Sequence, residues 1–140
     1  MSLLETPVYT GIMSLLSGSG GANDFSTAIG GRFSFIKEDG LTTPYSVGEL
    51  SFPQSPFNTC SYLHNIFLTV NIWRNVEKGD EVLSSIKDKL YSVLTEDNLT
   101  ISGMTVFDIQ RMQAPEPEQD DANIQKAYAI FRIQLQQSRI

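Results

Sequence analysis

The sequence predicts an α+β fold, a two-layer sandwich in which a mixed sheet of about five strands carries two helices on one face. Two strict alternations and one amphipathic stretch point to it. Residues Ile66 to Arg74 and Ala127 to Gln136 alternate apolar with polar or mixed side chains, the period of a strand with unlike faces. Between them, Val82, Leu83, Ile86, Leu90, Val93 and Leu94 recur at helical spacing opposite Glu81, Lys87, Asp88 and Lys89.

Taken in order, Thr6-Pro7 is a helix start, since Thr caps free amides and Pro at the first helical position lacks only a donor that has no partner there. Val8, Ile12, Leu15 and Leu16 then share a face, and Gly18-Ser19-Gly20-Gly21 stops the helix. Gly18 to Gly31 is expected to be a flexible loop. Arg32 to Lys37 reads as a strand, Glu38 to Thr43 as a turn, and Tyr45 to Leu50 as the hairpin partner, with Pro53 and Pro56 ending that element.

In the third strand Tyr62, His64, Ile66, Leu68, Val70 and Ile72 point one way and form the core face. The other face, with Leu63, Asn65, Phe67, Thr69, Asn71 and Trp73, mixes polar and large apolar groups, which suits a surface that is half wet or covered by another subunit. Gly79-Asp80 is expected to open the second helix, which runs to Leu94. Met104 to Met112 is the fourth strand. In the last strand Ala127, Ala129, Phe131, Ile133 and Leu135 face the core, while Tyr128, Ile130, Arg132, Gln134 and Gln136 face outward. The connection from Ala114 to Asn123, acidic and proline-bearing, reads as a long hairpin tip or arm.

Length and composition bound the rest. A chain of 140 residues fits one domain, residues 1–140, and 41% hydrophobic content with eight Phe, five Tyr and one Trp is that of a folded protein. Ten basic residues against sixteen acidic give a net charge of -6, with the basic residues scattered singly, so no specific nucleic-acid binding is expected. Cys60 is the single cysteine, which excludes an intrachain disulfide and a cysteine-based zinc cage. The opening residues lack the features of a secretory signal and the apolar runs are too short for a membrane span, so the expected compartment is the cytoplasm. Asn98-Leu99-Thr100 is then a chance glycosylation match.

No motif in the chain calls for catalysis. His64 is the only histidine and lies within a strand pattern, where a structural role is the plainer reading, and no Gly-x-Ser-x-Gly elbow accompanies it. Gly18-Ser19-Gly20-Gly21 and Gly30-Gly31 are not followed by Gly-Lys-Ser or Gly-Lys-Thr, so they do not form a phosphate loop. Glu116, Glu118, Asp120 and Asp121 lack the Asp-x-Asp-x-Asp-Gly framework of a calcium loop and read as solvated charge. Phe67 and Trp73 are packing residues first, and on the mixed face they would serve as interface anchors. No enzyme activity, metal or cofactor is expected.

Thr43-Pro44-Tyr45-Ser46-Val47 leading into a strand, the Phe67-to-Arg74 strand with Val-Asn-Ile-Trp at its centre, the Asp80-Glu81-Val82-Leu83 helix start and the late Ala127-Tyr128-Ala129-Ile130-Phe131-Arg132 strand together resemble the tail-completion or tail-terminator proteins of long-tailed bacteriophages. The resemblance spans roughly residues 6 to 136. It implies a structural virion protein of phage or prophage origin, assembled in the host cytoplasm and resident in the tail. Such a protein forms a homo-oligomeric ring, commonly of six subunits, on the tail tube, halts polymerisation of the major tail tube protein and prepares the tail to join the head–tail connector. The interface would then include Phe67, Trp73, Tyr128 and Arg132 on the mixed face, and Glu116, Glu118, Asp120 and Asp121 on an arm that points either into the channel, repelling passing DNA, or toward a neighbouring subunit or tube protein. Two other classes stay open on the residues alone. One is a ligand-binding or regulatory module whose pocket lies between the open sheet face and the glycine-rich loop; the other is an enzyme using His64 as general base.

Overall fold

The computed structural model describes residues 5–36, 42–52, 63–112, 118–119 and 123–137. Elements follow in the order α1 (Glu5–Ser17), α2 (Asp24–Ala28), β1 (Phe33–Ser34), β2 (Tyr45–Ser51), β3 (Leu63–Asn75), α3 (Leu83–Val93), β4 (Met104–Met112), β5 (Glu118–Gln119) and β6 (Ile124–Gln137). The strands form one mixed sheet in the order β1-β2-β3-β6-β4, with β5 also paired to β6. All pairs are antiparallel except β1 with β2. The three helices pack on one face, giving the two-layer α+β architecture.

The core is the helical layer's contact with one face of β3 and β6. Ile66, Leu68, Val70 and Ile72 of β3 and Ala129, Phe131, Ile133 and Leu135 of β6 have no exposure, and they meet Val8, Ile12 and Leu16 of α1 and Ile86 and Leu90 of α3. Each such Leu, Ile, Val or Phe contributes about 1.5–3 kcal/mol relative to leaving it in water. The β3–β6 register runs unbroken from Leu63↔Gln136 to Asn75↔Ile124, so the last strand lies at the centre of the sheet. β6 pairs antiparallel with both β3 and β4. Consequently β3 and β4 are parallel, and the α3 crossover between them skips the place that β6 fills.

Residues 18–31, expected as a flexible loop, contain the short helix α2. Asn23 caps it: its side-chain oxygen accepts from the Ser26 amide at 2.8 Å, and the Ser26 hydroxyl accepts from the Asn23 amide at 2.9 Å. Phe25 and Ile29, four apart, are fully buried, so hydrophobic burial holds a segment whose glycines suggested freedom.

The expected hairpin of the first two strands is corrected to a parallel pair, with Phe33 opposite Ser46 and Ser34 opposite Val47. The starts of both strands are tied together. Arg32 Nε donates to the Pro44 carbonyl at 3.0 Å, and the Ser46 amide donates to the Arg32 carbonyl at 2.9 Å. After two residues Ser34 Oγ turns back to the Ile36 carbonyl at 2.7 Å and ends the strand. The Thr43–Pro44 peptide bond is cis.

The third helix begins at Leu83 instead of Asp80. Asp80 instead closes the preceding turn: its carboxylate accepts from the Asn75 amide at 2.8 Å and its carbonyl accepts from Arg74 at 2.7 Å. Val82, placed on the apolar stripe by its spacing, is 56% exposed as the residue before the helix.

A bulge shapes the outer strand. Val106 pairs with Leu135 and Asp108 with Gln134, leaving Phe107 as the extra residue. The shift puts Met104, Val106, Ile109 and Arg111 opposite β6 residues of the helical face; without it, Asp108 and Gln110 would point into the core.

Candidate assembly interface

The face of the sheet away from the helices is built by the odd residues of β2 and β3 and the even residues of β6. Four successive cross-strand rows span its middle. Tyr45, Trp73 and Lys126 form the first, Val47, Asn71 and Tyr128 the second, Glu49, Thr69, Ile130 and Met112 the third, and Ser51, Phe67, Arg132 and Gln110 the fourth. Among the described residues no helix covers this face. Phe67, Tyr128, Ile130 and Arg132 are each half-buried, and Met112, opposite Ile130, is 40% exposed.

Four of the residues expected at an interface are therefore brought together. Phe67 and Arg132 are register partners, and Tyr128 is partner to Asn71 two rows further along, past Thr69 and Ile130. The Arg132 guanidinium donates to Gln110 Oε1, while its Nε is buried with no hydrogen-bond partner among the described residues. Trp73 lies on the same face but is only 4% exposed. Tyr45 stacks on its ring, centroids 4.9 Å apart and planes at 16°, and Lys126 Nζ sits 5.2 Å from it. With Val47 and Ile124 these aromatics close one end of the face, so the Trp73 ring is committed within the chain.

Of the acidic residues, Glu116, Asp120 and Asp121 lie outside the described residues. The Glu118 backbone is in β5, opposite Lys126. Since β3 occupies the other side of β6 as far as Ile124, β5 continues the β4 edge, and this part of the arm is laid along the sheet. Ile130 and Met112 join the patch without having been picked as site residues. Ile130 was legible from its place on the outward face of its strand; Met112 was hidden by the bulge, which reverses the alternation before it.

A second concavity lies on the other side of β4, a groove of about 450 Å³ between the end of α3 and the outer strand. Asp88, Tyr91, Thr95, Glu96 and Arg111 line it, with the Arg111 guanidinium 4.4 Å from the Tyr91 ring centre. Glu96 Oε1 accepts from the Ile109 amide at 3.0 Å, which holds the Glu96 carboxyl below the usual carboxylate range. His64 stands half-buried opposite Leu135. Among the described residues no three His, Cys, Asp or Glu side chains gather to hold a metal, and no helix is long and apolar enough to cross a membrane.

The described residues thus form an α+β layer with one mixed sheet face that no described helix covers. No protein-family model and no curated protein sequence matches the chain. Among solved structures it is similar to a chain of the virion of a native gene transfer agent particle, with a TM-score of 0.63 and 8% sequence identity over 94% of this chain and 99% of that one. At that identity the likeness is one of fold, and it extends over nearly the whole of both chains.

Proposed function

We propose that the chain is a non-catalytic, single-domain structural protein of a phage-like virion, and within that class a tail terminator. In this role it caps the tail tube as a ring, stops tube polymerisation and presents the surface to which the head connector joins. The near end-to-end fold likeness to a chain of a gene transfer agent virion carries the reading. The sheet face that no described helix covers supports it, because a protomer acting through neighbours needs a patch of mixed large apolar and polar groups such as Phe67, Ile130, Met112 and Arg132. Its partners are copies of itself, the major tail tube protein and the connector, in the tail of the particle.

Deleting the coding sequence from a phage or prophage that carries it tests this reading. The expected particles are headless tails of irregular, overlong length in negative-stain micrographs, with tail length restored by the gene in trans. Infectious particles with tails of normal length would overturn it. Mass measurement of the purified protein adds the subunit number.

A further inference from the structure

β4 is an outer strand of the sheet, nine residues long, while β1 at the other side has two. An outer strand turns amides and carbonyls away from its neighbour, and these invite pairing with another chain. On β4 that invitation is withdrawn at its middle. The Ile109 amide donates to the Glu96 carboxylate, which reaches over from the segment after α3. Two residues earlier the strand bulges at Phe107, 46% exposed, and a bulge spoils a straight pairing edge.

The strand itself carries little of the charge that commonly protects an edge. Asp108 and Arg111 are its only ionisable side chains and are of opposite sign, with the Glu96 carboxylate beside Asp108. A second β4 offers the same nine residues in return, as a self-complementary contact requires. What stands between two such edges is the bulge and Glu96.

We propose that Glu96 is an edge latch, its carboxylate occupying the outward amide of Ile109 so that β4 does not pair with β4 of a second copy. This does not depend on the ring reading, because the latch guards against a contact outside whatever assembly the wild-type protein forms.

The test compares wild type, Glu96→Ala, Glu96→Gln and the double variant Glu96→Ala with Phe107→Lys. Amide exchange is followed by NMR and mass by sedimentation at one protein concentration, with melting temperature as the check on folding. In the wild type the Ile109 amide should be protected although it sits on an outer edge. Glu96→Ala should speed its exchange on the order of tenfold or more and move the mass above the wild-type value. Glu96→Gln keeps an acceptor oxygen and should hold the wild-type mass. Phe107→Lys, which places a cation on the edge, should return the alanine variant to it. Wild-type Ile109 exchanging as an open amide would overturn the proposal, as would a Glu96→Ala protein of unchanged mass or one whose association ignores Phe107→Lys.

Discussion

Phe67 and Arg132 stand directly opposite each other across the β3–β6 ladder, on the face that no described helix covers. Aromatic residues and Arg are both enriched at protein interfaces. Both side chains are half-buried in the isolated protomer, so neither holds up the core. Phe67→Asp is expected to leave the melting temperature within a few degrees of wild type while weakening self-association about 30-fold or more, the equivalent of roughly 2 kcal/mol. Light scattering on a size-exclusion column reads the mass. A Phe67→Asp protein assembling at wild-type concentrations would remove this face from the interface.

Gly11 lies in the middle of α1, where alanine is ordinarily better by about 1 kcal/mol. Here the sign reverses. A Cβ at Gly11 would come 2.6 Å from the Thr100 carbonyl oxygen and 3.0 Å from Ile101 Cγ1. The first is backbone and cannot rotate away. Gly11→Ala is therefore expected to lower stability by about 1–3 kcal/mol in urea unfolding, and a gain would show that α1 slides freely over residues 99–101.

Much of this was legible in the sequence because strict periodicity survives folding. The core residues of β3 and β6 follow from alternation alone, and the outward residues Phe67, Tyr128 and Arg132 follow from the same parity. What the sequence hid had other causes. The β1–β2 pair is parallel because Arg32 ties two distant backbone segments, a contact with no local pattern. Asp80 resembles a helix cap until its carboxylate is seen to hold the Asn75 amide. Asn23 and Ser26 did carry the signature of a helix start, overshadowed by the glycines on either side. The bulge at Phe107 could be inferred only by noticing that uninterrupted alternation would bury Asp108 and Gln110.

Phe131 and Arg111 share the Tyr91 ring but should differ widely in worth. Phe131 is fully buried and meets Tyr91 edge-on, centroids 5.7 Å apart. Arg111 lies over the same ring with its residue exposed. Phe131→Ala is expected to cost about 3–5 kcal/mol by loss of burial and the cavity left behind. Arg111→Ala should cost about 0.5–1 kcal/mol, the scale of an exposed cation–π contact. Denaturant titrations of the two variants check the contrast, and equal losses would mean that the groove beside β4 is part of the core.

Glu81 links two turns of α3 by accepting from Ser85 Oγ at 2.6 Å and pairing with Lys89 Nζ at 2.6 Å. The hydrogen bonds from Lys89 first and Ser85 next hold its carboxyl below the usual range. Between its lowered folded value and its ordinary value, the unfolded chain binds more protons than the folded one, so stability rises with pH there. The contribution is complete above about pH 5 and fades as the pH falls through roughly 4 toward the folded value. Both side chains are partly exposed, 37% for Lys89 and 30% for Glu81, so solvent screening limits the pair to about 0.5 kcal/mol. Glu81→Gln should thus lie slightly below wild type at pH 7 and converge with it in acid. Glu96 is lowered in the same direction but is present in both proteins, so the difference between the two unfolding curves reports Glu81 alone. A gap that stays constant from neutral to acid pH would assign the loss to packing instead of charge.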